Sequence, residues 1–192
     1  MPNELIKKAI ESVSFDAATL TDDHGRWVLT MTRTLAGPPE QVWPWLVEPD
    51  RLIQWSPIVF DRVLTGRGPA TATENPGDDP VDAEVLEFDP PRQLIHRWDE
   101  HTVRWTLEPA PDGCRLTLEQ RFAETDLGPL MAAGWHVCLA VLTVTLDGDP
   151  VGRVVGSAAM DYDWERLRDH YAERWPTPDP SGTTDGTEGS TR

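Results

Sequence analysis

Cysteine is scarce in this chain: Cys114 and Cys138 are the two thiols among 192 residues. They are too few and too far apart for a disulfide framework or a cysteine-based metal site, so both read as reduced structural thiols. Basic residues are also in short supply, with 17 Lys and Arg against 33 Asp and Glu and a formal net charge of −16. That balance repels phosphate backbones and anionic headgroups, which argues against nucleic acid and membrane as partners. No apolar run is expected to supply the roughly 20 residues of a membrane span, and the opening MPNELIKKAIESV lacks the apolar centre of a secretion signal. The expected location is the cytoplasm. No repeat of fixed period is found, and GRG at Gly66 to Gly68 has neither the strand nor the helix that would make it a nucleotide loop. It reads as a turn.

Tryptophan, by contrast, is abundant. Four of the nine, Trp27, Trp43, Trp45 and Trp55, fall in one stretch that contains PPEQVWPWL and EPDRLIQW. A cluster of such large side chains marks a heavy core or the wall of a cavity. The chain divides around it. Residues 1–26 are expected to form an N-terminal helix and lead-in, because Leu5, Ile6, Ala9, Ile10 and Val13 recur at helical spacing before the polar TDDHG. Residues 27–175 are expected to form one domain. The remaining 176–192 are polar and rich in Gly, Thr and Pro, with nothing large to bury, and are expected to be disordered.

Within the domain, WVLTMTRTL alternates with period two and is read as the first strand, with Leu29, Met31, Arg33 and Leu35 on one face. IVFDRVLT, VDAEVLEFD, RQLIHRW, TVRWTLEP and CRLTLEQRF follow as further strands, parted by turn-rich DPP and APDG. Together they predict an antiparallel meander with one covered face. The cover is LGPLMAAGWHVCLAVLTVTL, a long apolar helix from Leu127. His136 on it is expected at a surface or boundary. A last helix over SAAMDYDWERLRDHYAERW carries Met160, Trp164, Leu167 and Tyr171 as a packing stripe. Near the tryptophans, Pro38 and Pro39 suit a helix start, and Pro44 predicts a kink or a very short helix. Asp50 is the expected N-cap of the next turn, which ends at Trp55.

PPEQVWPWLVEPDRLIQW, VDAEVLEFDPPRQLIHRW, TVRWTLEPAPDGCRLTLEQRF and the helix pair Gly134 and Trp135, in that order, resemble the START-like (SRPBCC) superfamily. The branch is the one named for the activator of heat-shock protein 90 ATPase. The resemblance covers about Trp27 to Leu146. It implies an α+β helix-grip fold: a curved antiparallel sheet wrapped around a long C-terminal helix, two short helices after the first strand, and a cavity between them.

Strand phases nominate the lining of such a cavity. Trp43, Trp55, His96, Trp98, Val103, Trp105, Leu118, Gln120, Met131, Trp135 and Cys138 would make an apolar, aromatic pocket with two polar points, His96 and Gln120. Trp45 is assigned to outer packing. The expected function is binding of a small hydrophobic or aromatic ligand, with no metal, no cofactor and no assignable catalytic set. Two alternatives stand beside it. One is an enzyme of cyclase or hydrolase type with His96 as acid or base, although no nucleophile, metal set or phosphate loop accompanies that histidine. The other is a chaperone-interacting module, which the family name invites and the acidic surface would permit.

Overall fold

In the computed structural model, which describes residues 3–175 apart from 76 and 125, the alternating segment at Trp27 is the second strand rather than the first. The disordered tail expected at 176–192 lies outside the described residues. Helix α1 (Glu4–Glu11) is followed by strand β1 (Ala18–Asp23), which pairs antiparallel with β2 (Arg26–Leu35). His24 and Gly25 both take positive φ, 55° and 81°, as a two-residue hairpin turn requires, and Asp22 Oδ1 accepts from Gly25 N at 2.8 Å. The polar TDDHG is therefore half edge strand and half turn.

The crossover after β2 contains three single turns of helix: α2 (Pro39–Val42), α3 (Pro44–Val47) and α4 (Pro49–Leu52). Each begins on a proline, where the missing N–H would be unpaired anyway. Pro44 breaks the run as expected, since it has no N–H to continue the ladder. Asp50 lies inside α4, and Glu48, not Asp50, occupies the cap position without a side-chain bond.

IVFDRVLT is strand only at β3 (Val59–Phe60), which joins β4 (Thr71–Thr73) and β5 (Val81–Asp82) in a small separate sheet. VDAEVLEFD is accordingly two strands, because Asp82 Oδ1 accepts from Glu84 N at 3.0 Å and turns the chain between β5 and β6 (Val85–Asp89). Then β7 (Gln93–Trp98), β8 (His101–Ala110) and β9 (Gly113–Phe122) complete a six-stranded antiparallel sheet in the order β1-β2-β9-β8-β7-β6. Register brings the inward residues into rows: Leu29, Gln120, Val103, His96 and Val85 in one, Met31, Leu118, Trp105 and Leu94 in the next.

Helix α5 (Leu127–Leu146) lies across that face. A span of it has a mean hydropathy of 1.7, so the chain does contain a segment long and apolar enough to cross a membrane, against the sequence expectation. That span is 72% buried within the protein, which is the behaviour of a core helix. The other side of α5 is covered by α1 and α6 (Trp164–Arg174), so the helix is enclosed between two layers. His136, expected near a surface, is for this reason fully buried. Its Nε2–H donates to the Ile10 carbonyl at 3.1 Å and its Nδ1 accepts from the Tyr171 hydroxyl at 2.9 Å. The last helix is broken at Asp163, φ 58°, into a 3₁₀ segment Gly156–Tyr162 and α6. The stripe on it splits with it: Leu167 and Tyr171 are buried, while Met160 is 51% exposed.

Candidate functional site

Trp55, Trp105 and Trp135 meet edge to face under α5, with ring centroids 5.8 Å apart for Trp55 and Trp105 and 5.3 Å for Trp105 and Trp135. Buried indole N–H groups need acceptors. Trp55 Nε1 donates to the Trp45 carbonyl at 3.0 Å, Trp105 Nε1 to His96 Nε2 at 3.1 Å, and Trp135 Nε1 to Gln120 Oε1 at 2.7 Å. The remaining nitrogens of the two polar points are also engaged. His96 Nδ1–H donates to the Arg97 carbonyl at 2.7 Å, and Gln120 Nε2 lies 2.8 Å from His101 Nδ1. His96 is thus a neutral imidazole with no free nitrogen, and burial pushes its pKa down to about 4, with the Arg97 carbonyl opposing. Its geometry serves a tryptophan.

Of the nominated lining, Trp43, Trp55, His96, Val103, Trp105, Leu118 and Gln120 are packed core, none more than 8% exposed. Trp43 meets Phe88 edge to face, and Trp55 is completely enclosed. Trp45, assigned to outer packing, is half-buried with the Arg51 guanidinium 5.1 Å from its ring.

Trp98, Met131, Trp135 and Cys138 do come together, around a cleft of about 390 Å³ beside α5. The space lies between the Met131, Trp135 and Cys138 side of the helix, the end of β7 at Trp98, and the segment from Val154 to Trp164. Trp98 stands 5.9 Å from Trp135, ring to ring, so the cleft backs directly onto the buried tryptophans. Its lining is apolar apart from Glu74. Cys138 donates weakly to the Val154 carbonyl, Sγ to O 3.8 Å, and burial, reinforced by the charge of Glu74, pushes its thiol up to about 12. A thiol so held is neutral at pH 7 and contributes soft apolar surface.

Sequence reasoning missed the outer wall: Val154, Val155, Ala159, Met160 and Trp164. Helical spacing assigns Met160 and Trp164 to a packing stripe, and the loop before them has no periodicity that would aim a side chain. No group of three or more His, Cys, Asp or Glu side chains able to hold a metal is found among the described residues.

A six-stranded antiparallel sheet gripping one long helix, with a side cleft walled by its C-terminal extension, defines a START-like helix-grip domain. The family model described as Activator of Hsp90 ATPase homolog 1-like protein matches residues 36–147, and the chain belongs to that family. Among solved structures it is similar to a conserved protein of unknown function from Enterococcus faecalis, at TM-score 0.67 and 19% identity, covering 88% of this chain and 94% of that one. CalU16 from Micromonospora echinospora matches at TM-score 0.59 and 19% identity over 83% and 93% of the two chains. A Bordetella parapertussis protein matches at TM-score 0.58 and 23% identity over 80% and 87%. At these identities the likeness is one of fold. Comparison with curated proteins found no match.

Proposed function

We propose that this protein binds a small, neutral or cationic, largely apolar ligand, with an aromatic ring suiting it best, in the cleft beside α5. The observation that carries the reading is the combination of about 390 Å³ of open volume with walls of Trp98, Met131, Trp135, Cys138 and Trp164. That volume is at the small end of the range for small-molecule sites, about 300–1,000 Å³. Half-buried aromatic faces offer stacking area, and Glu74 offers an acceptor that favours a donor or a positive charge at one end of the ligand and disfavours a carboxylate there. The same reading keeps the protein in the cytoplasm, where Cys114 and Cys138, both free and buried, stay reduced.

Gly134 gives a direct test. It lines the cleft, and a Cβ added there would meet nothing within 4 Å. Gly134→Leu should therefore fill the space while improving helix propensity by about 1 kcal/mol. The neutral probe N-phenyl-1-naphthylamine is expected to gain fluorescence with the wild type and to lose at least tenfold in affinity with Gly134→Leu. Equal binding by the two proteins would sink the assignment. Native mass spectrometry of protein from its own host would then identify the retained molecule.

A further inference from the structure

A second cleft, of about 340 Å³, opens where β2 runs beyond the end of β1. β1 pairs with β2 only as far as Met31, so Thr32, Arg33 and Thr34 meet the end of α1, Ala17 and Thr143 of α5 instead of a strand. In a chain of net charge −16, this cleft is lined by Arg33 and Arg115 and by no carboxylate.

Arg33 is the unusual member. It shares the inward face of β2 with Leu29, Met31 and Leu35 and is 5% exposed. Its Nη1 donates to the Thr32 carbonyl at 2.8 Å, while Nε and Nη2 are buried with no partner among the described residues. Those two atoms form the side edge of the guanidinium, whose parallel N–H bonds match two oxygens of a carboxylate or phosphate. Leaving a buried charge unpaired is among the more costly arrangements in a protein. Desolvation lowers its pKa to about 10, with the Tyr171 phenol opposing, so it stays charged at neutral pH and no carboxylate helps to hold that charge. Neither Arg33 nor Arg115 joins an ion pair among the described residues. The hydroxyls of Ser12 and Thr143 already donate to the carbonyls of Ala9 and Leu139, so the lining groups left to meet a ligand are the two guanidinium groups and the hydroxyls of Thr32 and Thr34.

We propose that this cleft is an oxyanion site, in which the Nε and Nη2 edge of Arg33 takes a carboxylate or phosphate group and exposed Arg115 draws it in. The site is distinct from the apolar cleft, which is built on β7, the first half of α5 and residues 154–164.

The test titrates the full chain with inorganic phosphate or acetate against chloride, at constant ionic strength, following the Arg33 Nε–H resonance by NMR and the melting temperature. A saturable shift of that resonance with a rise in melting temperature is expected, and which anion produces it tells phosphate from carboxylate. Arg33→Met should weaken binding at least tenfold and, in chloride alone, be as stable as the wild type, because an unpaired buried charge has been replaced by an apolar side chain of similar length. Arg115→Gln should weaken binding severalfold. The proposal is overturned if neither anion moves the resonance beyond the chloride control, or if Arg33→Met responds as the wild type does. Since the resonance is read in the wild type, a poorly folding variant does not remove the test.

Discussion

Trp135 belongs to two neighbouring regions built from similar residues. Toward the sheet it meets Trp105 and Gln120, both buried, and its N–H is bonded at 2.7 Å. Toward the extension it joins Trp98, Met131, Cys138 and Trp164 around open volume. In the first region the polar groups of His96 and Gln120 are all committed to other side chains or backbone; in the second Trp98 and Trp164 are only half-buried, Trp164 with the Arg168 guanidinium 5.5 Å from its ring. Aromatic content alone therefore does not mark a binding site. The distinction lies in whether each indole has been closed off by an acceptor and a neighbouring ring.

Substitutions should separate the two regions, and the largest effect belongs to the closed one. Trp105→Ala removes the ring between Trp55 and Trp135 and strips His96 Nε2 of its donor, so urea unfolding should show a loss of about 3–5 kcal/mol. A loss under about 1 kcal/mol would mean that the tryptophan cluster is loosely packed and the comparison is misdrawn.

Acid comes next. His96 and His136 are both held down to about 4, chiefly by burial; the nearby charge of Arg33 also lowers His136. In the unfolded chain a histidine titrates near 6.5. Between those values the unfolded state binds more protons, so stability is full above about pH 6.5 and falls as pH drops toward 4. Each histidine contributes on the order of 3 kcal/mol to that fall. Denaturant midpoints measured across this window in His136→Gln should show a shallower slope than in the wild type; an unchanged slope would remove His136 from the account.

Gln120→Leu is a milder cut in the same region. It leaves the Trp135 N–H without an acceptor in a dry site, at about 1–3 kcal/mol by chemical denaturation. Full stability would show that the indole finds another partner. The smallest stability effect is expected on the open side: Trp164→Ala should cost under about 1 kcal/mol yet weaken N-phenyl-1-naphthylamine binding roughly tenfold, since one aromatic contact is worth about that much. If stability fell and binding did not, Trp164 would belong with the core.

These regions differed in how plainly the sequence announced them. TVRWTLEP and CRLTLEQRF alternate cleanly, and β8 and β9 bury Val103, Trp105, Leu107, Leu116 and Leu118 in that alternation. The long apolar segment is helix over its full expected extent, Leu127–Leu146. β1 was hidden because an edge strand with one fully buried residue, Ala18, shows no period. His136 was misplaced because α1 and α6, which cover it, are far apart in sequence, and no local pattern on α5 reports their arrival. The lining suffered from the same limit. Strand phase identifies which side chains point inward, but only the tertiary arrangement tells which of them are sealed against each other and which face space.

The wall formed by residues 154–164 lies wholly beyond the match to the family, which stops at residue 147. Six of the fourteen lining residues are therefore contributed by a strap that follows the matched scaffold. A relative with the same sheet and helix but a different strap would present a different gutter along α5, so under the proposed reading exchanging residues 154–164 should alter which ligand is taken while the tryptophan core is left alone. Exchange of the strap alone thus probes the proposed site without disturbing the grip beneath it.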